Sequence, residues 1–326
     1  MPVIIPTKAC NLRCKHCLRA DFPEGDLDLK MMRDFMYDMQ ILEGSRFHTL
    51  TGGEPTLHKN FDELLEIFDY MEHRLSIVTN AQLTKGIESI IKNKKLVNLV
   101  NISFDSPIEE ENDKIRGKGT FEKALESLKD LQKNNVTVIP VFVIHNHNGH
   151  LVDEIFNFVD TYKTTGAVIL GLQPVKRAYD NKIMNNDNSY KALKRFYEIK
   201  HKDSRIAFSS KHHIGYINPE WSLSFCDVME PNLSQSTLTP NGDLWVCCDL
   251  VDLSYQNLES EGSLNIQNPI LGNIKKDTLD VILGRKRKHS FEMKKMRYKD
   301  AVEGKLINGR EFMCENCKFY HFHNVS

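Results

Sequence analysis

The residues that could do chemistry are unevenly placed along this 326-residue chain. All eight cysteines lie toward its ends: Cys10, Cys14 and Cys17 form one group, Cys226, Cys247, Cys248, Cys314 and Cys317 the other. In "CNLRCKHC" three thiolates, separated by three and then two residues, can wrap one corner of a cubane iron–sulfur cluster. A structural zinc or a fully ligated cluster takes four protein ligands, and no fourth ligand lies nearby in the sequence. Three leave one iron open to bind something else. In the second group Cys226, one of the adjacent pair Cys247–Cys248, Cys314 and Cys317 make four ligands, enough to saturate a second cluster or a zinc ion.

Composition frames these groups. With 40% hydrophobic and 27% charged residues, the chain has the balance of a globular protein with a sizeable core. Its length allows one large domain, or a large one with a small one appended. Lysine and arginine number 43 against 44 aspartates and glutamates, which argues against a general nucleic-acid binder. No apolar run approaches the roughly 20 residues that span a bilayer. "MPVIIPTKACNLRC" has no charged start followed by a long apolar stretch, so a cytoplasmic, reducing location is expected. There, spaced cysteines read as metal ligands rather than disulfides.

The elements that must position the cysteines alternate in type. Strands are predicted at 2–7, 47–51, 75–80, 99–104, 136–144 and 167–173, and helices at 28–42, 60–74, 84–93, 120–133, 151–163 and 188–201. Asn60 stands where it would cap the second helix. Six βα units imply a parallel sheet, open or a partial barrel, with active groups on loops at the C-terminal ends of the strands. After about residue 205 the rhythm changes. "TLTPNGDLWVCC" reads as a β-hairpin, "LGNI" as a strand and 275–299 as a strongly basic helix. The expected architecture is α/β: a partial (β/α)6 barrel over 1–205, with a smaller β-hairpin/α auxiliary-cluster domain over 206–326.

These motifs resemble a known family. "CNLRCKHC" looks like the signature of radical S-adenosylmethionine (SAM) enzymes, and "GGEP" at 52–55 resembles their second motif, which bonds the methionine amino group of SAM. "VTNA" (78–81) and "NISFD" (101–105) match the third- and fourth-strand positions. The resemblance implies that Cys10, Cys14 and Cys17 hold a SAM-cleaving 4Fe–4S cluster. It also implies that Gly52, Gly53, Glu54, Asn80, Ser103 and Asp105 approach SAM, and that Arg116 meets its carboxylate. His16 departs from the aromatic residue common before the third cysteine and reads as a spacer whose ring packs near the cluster. "PNGDLWVCC", "LGNI" and "CENC" resemble the auxiliary-cluster domain in its short twitch form, since the longer SPASM form needs more than the five cysteines present. A second 4Fe–4S cluster on Cys226, Cys247, Cys314 and Cys317 follows from that likeness; a four-thiolate zinc site competes with it.

One thiol is then left over. If "WVCC" continues as a strand, Cys247 and Cys248 point to opposite faces, with Cys247 the ligand and Cys248 the spare. Some members of the family that epimerise peptides return hydrogen to a Cα radical from such a thiol; a small buried hydrophobe is the plain alternative. The resemblance favours a ribosomally made peptide as substrate, modified by epimerisation or by thioether or carbon–carbon cross-linking. The runner-up is dehydrogenation or rearrangement of a small molecule such as a sugar alcohol; a scaffold that merely retains the fold is a third reading. Expected partners are an electron donor such as flavodoxin or ferredoxin and a separate leader-recognition protein, with neither membrane nor nucleic acid. "HNHNGH" (145–150) reads as polar capping with solvated histidines. "KHHIGY" (211–216) and the terminal "YHFHNVS" flank the appended domain, and Gln173 and Lys176 stand at a strand end facing the cavity. The basic segment 282–300 reads as a solvated helix or as a docking surface for an acidic peptide.

Overall fold

The computed structural model describes residues 1–19, 25–172, 176–200, 203, 205–208, 230–251 and 269–303. Contacts divide the chain into two compact units. One comprises Met1–Ile5, Leu27–Arg46 and Lys211–Ser326; the other comprises Pro6–Asp26 and Phe47–Ser210. In chain order, β1 (Val3–Ile4) and α1 (Leu29–Glu43) belong to the first unit. The second carries β2 (Phe47–Leu50), α2 (Phe61–Tyr70), β3 (Arg74–Thr79), α3 (Thr84–Lys92), β4 (Val97–Phe104), α4 (Glu109–Arg116) and α5 (Thr120–Lys133). It continues with β5 (Val138–Ile144), α6 (Val152–Tyr162), β6 (Ala167–Gly171), α7 (Lys176–Asp180), α8 (Asp187–Lys200) and β7 (Ile206–Phe208). The first unit resumes with β8 (Thr237–Leu238), β9 (Asp243–Trp245), β10 (Ile270–Asn273) and α9 (Leu279–Val302).

In the second unit the strands run β2-β3-β4-β5-β6-β7, every neighbouring pair parallel. The α/β class expected from the sequence therefore holds. Its sixth strand is β7, whereas β1 clusters with the first unit and pairs in parallel with β8. Period-2 alternation decides what each face of the sheet does. On β4, Val100, Ile102 and Phe104 are buried, while Asn101 and Ser103 on the opposite face stay half-buried. Phe104 and Phe142, paired in register across β4 and β5, meet Phe158 of α6 at ring-centroid distances of 5.2 and 5.6 Å. Burying each such ring contributes about 1.5–3 kcal/mol, so the cluster fixes where β4 and β5 end. Because the strands are parallel, the loops after Leu50, Thr79, Phe104 and Ile144 all leave from one edge of the sheet.

The first unit is built differently. β8, β9 and β10 are antiparallel neighbours, the hairpin that the Pro-Asn-Gly-Asp turn predicts. Helix α1 starts after Asp28, whose carboxylate accepts the Met31 N–H (2.8 Å). Gly44, at φ 64°, ends the helix. Two local expectations fail. Asn60 makes no capping bond and donates instead to the Glu63 carboxylate (2.9 Å), which already lies in the positive first turn of α2. The strand over "WVCC" stops at Trp245, and Cys248–Leu250 forms a 3₁₀ turn.

Candidate active site

The first cysteine loop lies in the second unit and is pinned to "GGEP" by backbone. The Gly53 N–H donates to Thr7 O (3.1 Å) and the Glu54 N–H to Ala9 O (2.7 Å), just before Cys10. The approach is so close that a Cβ on Gly53 would lie 2.1 Å from the Ala9 carbonyl oxygen, so only glycine fits. Here the second motif is a brace for the first.

Glu54 extends that brace. Its buried carboxylate accepts from Thr56 Oγ1 (2.7 Å), the Thr56 N–H (3.2 Å), Thr79 Oγ1 (2.7 Å) and the Asn80 N–H (2.7 Å). Burial raises its pKa, and these donors pull against that rise. Asn80, held this way at the end of β3, turns its amide to Asn11 Oδ1 (2.8 Å) and lies 3.8 Å from Cys10 Sγ. Gly52 (φ 136°), Gly53, Glu54 and Asn80 therefore converge on the cysteine loop.

A second buried network comes from β4 and α4. The Asp105 carboxylate accepts from His16 Nε2 (2.6 Å) and pairs with Arg116 Nε (2.6 Å); Asp105 and His16 are buried, and the Arg116 side chain is 9% exposed. Burial alone would raise the Asp105 pKa, but the Arg116 guanidinium, then His16, outweighs it and holds the carboxyl well below the usual range. Arg116 closes α4 and reaches toward Cys14, with its NH1 4.0 Å from Cys14 Sγ. Asn112 Oδ1 accepts the Asp105 N–H (3.0 Å), which ties α4 to the end of β4. Asn148 donates to the carbonyls of Asp105 (2.6 Å) and Val143 (2.7 Å), locking β4 to β5. Ser103 lies on the half-buried face of β4, two residues before Asp105, which follows the strand.

His16 is thus more than a spacer: it ties the cysteine loop to Asp105. Within "HNHNGH", His147 and His150 are exposed as expected, but His145 is 1% exposed and its ring lies 6.1 Å from that of His16. Burial lowers its pKa to about 4, so it stays neutral. Asn112 is not singled out by the sequence, while His145 and Asn148 enter there only as part of "HNHNGH", read as capping, and Thr79 only as part of "VTNA". The one available signal was position, since each follows or closes a strand or sits on the helix carrying Arg116.

Whether the loop fits an iron–sulfur cluster can be tested on its sulfurs. Backbone N–H groups point at two of them, Leu12 to Cys10 (3.5 Å) and Arg19 to Cys17 (3.4 Å). Three thiol donors are one short of the four that a structural zinc takes and would leave one iron of a cubane cluster open. Burial pushes the Cys14 thiol up to about 12, against the pull of Arg116; only a metal centre keeps such a sulfur as thiolate at neutral pH. The donor set fits a cluster.

At the other end of the chain, Cys247 and Cys248 are both half-buried. The turn that replaces the expected strand brings their sulfurs and an Asp249 oxygen within 4.8 Å of one another, so opposite strand faces do not separate the two thiols. Hydrogen bonding does: the Asp249 N–H donates to Cys247 Sγ (3.4 Å), whereas the Cys248 thiol donates to Asp249 Oδ1 (3.5 Å). Cys226, Cys314, Cys317, Gln173, the histidines of 211–216 and the terminal "YHFHNVS" lie outside the described residues, as does the side chain of Lys176. Among the described residues no helix is long and apolar enough to cross a membrane.

Comparison with known proteins follows this geometry. The Mycobacterium tuberculosis protein "Mycofactocin maturase MftC" is 24% identical over 246 residues, covering 74% of this chain and 62% of that protein. The chain thus spans about three fifths of that relative's length. The GTP 3′,8-cyclase of Peptoclostridium acidaminophilum is 25% identical over 312 residues, covering 88% of this chain and 89% of the enzyme. Among solved structures, Streptococcus suis SuiB bound to S-adenosylmethionine superposes with a TM-score of 0.68 at 19% identity, covering 88% of this chain and 67% of that one. The fold is therefore shared. The model of the Radical SAM superfamily matches residues 4–159, the stretch that holds the cysteine loop, its glycine brace and the Asp105–Arg116 pair, and this stretch is a Radical SAM domain.

Proposed function

We propose that this chain is a radical SAM enzyme that modifies a ribosomally made peptide. The observation that carries the radical SAM part is the cysteine loop itself, tied by Gly53 and Glu54 to one strand end and by His16 to another. Cys10, Cys14 and Cys17 would hold a 4Fe–4S cluster. Gly52, Gly53, Glu54, Asn80, Ser103 and Asp105 would line SAM, with Arg116 toward its carboxylate. When bound, the two groups supply an electron and a reductively cleaved carbon–sulfur bond, which yields the 5′-deoxyadenosyl radical that takes hydrogen from substrate. The residues here orient and shield: Arg116 sets positive charge against Cys14, and the buried His16–Asp105 bond keeps the loop from swinging into water. Peptide as substrate is supported by the maturase MftC and by the SuiB structure "bound to precursor peptide SuiA".

Within that class the reading is Cα epimerisation through Cys248. Cys247 would ligate an auxiliary 4Fe–4S cluster with Cys226, Cys314 and Cys317 in a twitch-like domain over 206–326, the barrel occupying 1–205. Support comes from the bond at its sulfur, which repeats the i+2 amide contact of Cys10 and Cys17. Cys248 would give its S–H hydrogen atom to the Cα radical. The thiyl left behind then takes one electron and one proton, the electron from a flavodoxin- or ferredoxin-type donor. Thioether or carbon–carbon cross-linking uses the same first abstraction but returns no hydrogen. A cytoplasmic setting and a separate leader-binding protein complete the proposal.

A second reading has its own support: the GTP 3′,8-cyclase aligns with 88% of this chain, which favours rearrangement of a small molecule. Anaerobic reconstitution with iron, sulfide and SAM under strong reductant tests the first level; formation of 5′-deoxyadenosine is expected, and its absence overturns the enzyme reading. Reaction of a peptide substrate in deuterated water tests the second. Deuterium at one Cα, lost in Cys248→Ala, is expected for epimerisation, whereas a product lighter by two hydrogens points to cross-linking or dehydrogenation.

A further inference from the structure

Helix α9 has two faces, and among the described residues only one is buried. Leu279, Ile282, Leu283, Lys286, Ser290 and Met293 are buried at helical spacing and hold it within its unit. A separate row is exposed at Val281, Lys288, Phe291, Lys295, Tyr298 and Val302, with Val281, Phe291, Tyr298 and Val302 at 45, 65, 71 and 69% exposure. From Lys288 onward the steps are three, four, three and four residues, and Val281 lies seven before Lys288. That is the a/d spacing with which one helix receives another. Apolar side chains thus occur on both sides of the helix, which a helix packed on one side only does not require.

Charge says what would lie on the outer row. The 24 residues of α9 include eight lysines and arginines against three acidic residues, in a chain whose formal net charge is −1. Arg285 is neutralised by Asp277 (2.8 Å), and Lys299 lies 3.9 Å from Glu303. Arg287, Lys288 and Lys295 are exposed and make no ion pair among the described residues. Two large apolar side chains alternating with unpaired cations, over a helix about 36 Å long, match the complement of an amphipathic helix with acidic flanks.

We propose that the outer face of α9 docks an acidic amphipathic segment of the peptide substrate, its apolar residues seated on Phe291 and Tyr298 and its carboxylates facing Arg287, Lys288 and Lys295. The proposal extends the peptide reading above. Nucleic acid is the less favoured partner because the apolar members of the row keep helix-pairing spacing.

Binding is measured without turnover, so this proposal and the enzyme reading can fail separately. The probe is an mRNA-displayed library of random peptides about 20 residues long, selected on the reconstituted holoprotein, with an RNA oligonucleotide of about 20 nucleotides as the rival. Expected winners are acidic, with apolar residues three and four apart. Their affinity should fall about tenfold or more in F291S/Y298S, and lose most of its salt dependence in K288E/K295E. Both variants alter exposed side chains, and unchanged circular dichroism and thermal melting show that they fold. Winners that bind both variants as tightly as the parent overturn the proposal, as does a pool without acidic bias or an RNA that alone binds through this face.

Discussion

The two cysteine regions are held in opposite ways. Cys10, Cys14 and Cys17 sit in a loop whose backbone is clamped by Gly53 and Glu54 and whose His16 is bonded to Asp105, 89 residues away in the chain. Cys247 and Cys248 sit on a turn where Asp249, within two residues of both, donates its N–H to one sulfur and accepts from the other. The first arrangement fixes three sulfurs through several strand ends at once. The second sorts two neighbouring thiols by hydrogen bond, one accepting and one donating. On the proposed function, a site that holds a reactive species away from water calls for the first kind of support, and a thiol proposed to give up its hydrogen for the second.

Substitution of the cysteines breaks the comparison most sharply. Cys10→Ala, Cys14→Ala or Cys17→Ala should lower SAM cleavage by more than about 100-fold, since even residues behind metal ligands cost about 10–100-fold. Cys248→Ala should leave 5′-deoxyadenosine formation in place, measured by chromatography of the reconstituted proteins. An equal loss from Cys248→Ala would erase the distinction. The carboxylates come next. Asp105→Asn keeps the shape but strands the nearly buried Arg116, so it should destabilise the fold by about 3–5 kcal/mol in urea titration. Asp249→Asn, at a half-buried turn, should cost under about 1 kcal/mol.

Gly53→Ala probes the clamp alone. The Ala9 carbonyl is backbone and cannot swing aside, so overpacking should cost about 3 kcal/mol and reduce iron incorporation together. Normal iron content in that variant would mean that the loop is held without its brace. The smallest effect separates the first cysteine region from the foot of its own sheet. His48 and His73, both buried, share a hydrogen bond of 3.1 Å near the start of β2 and β3. Burial, then His73, pushes the His48 pKa from 6.5 down to about 3. Folded His48 stays neutral where the unfolded chain takes up a proton. Its contribution is therefore whole above pH 6.5 and is lost as pH falls toward 3, by at most about 1.4 kcal/mol per unit. His48→Phe should flatten that slope in thermal melts between these limits, with SAM cleavage at neutral pH unchanged.

Sequence patterning located most elements because their periodicity is local. α5 spans Thr120–Lys133 as expected, and α1 and α8 differ from expectation by a residue. α4 was missed, since "EEENDKIR" has too few apolar residues to show a stripe, yet it carries Arg116. β1 stands where the sequence places the first strand, but that it also pairs with β8, more than 230 residues on, is something no local pattern could point to. "WVCC" was read as strand because tryptophan, valine and cysteine favour one. The chain turns after Trp245 instead, and a period-2 argument cannot survive the loss of one strand residue.

By itself the sequence determined the donor atoms: three spaced thiols after a strand, two glycines and a glutamate after the next, and a tail with one cysteine more than a cluster needs. Composition and spacing are covalent facts, and thiolate chemistry follows from them. Only the tertiary structure decided what those donors are held by. That Gly53 must be glycine depends on a carbonyl 2.1 Å away, and that His16 is a tether depends on an aspartate brought to it by a parallel sheet. Cys247 and Cys248 were expected on opposite strand faces, whereas the structure sets them in a turn where Asp249 bonds to both, donating to one and accepting from the other. Contacts of this kind join residues far apart in the chain, or depend on the dihedral angles of one turn, and neither is written in the order of residue types.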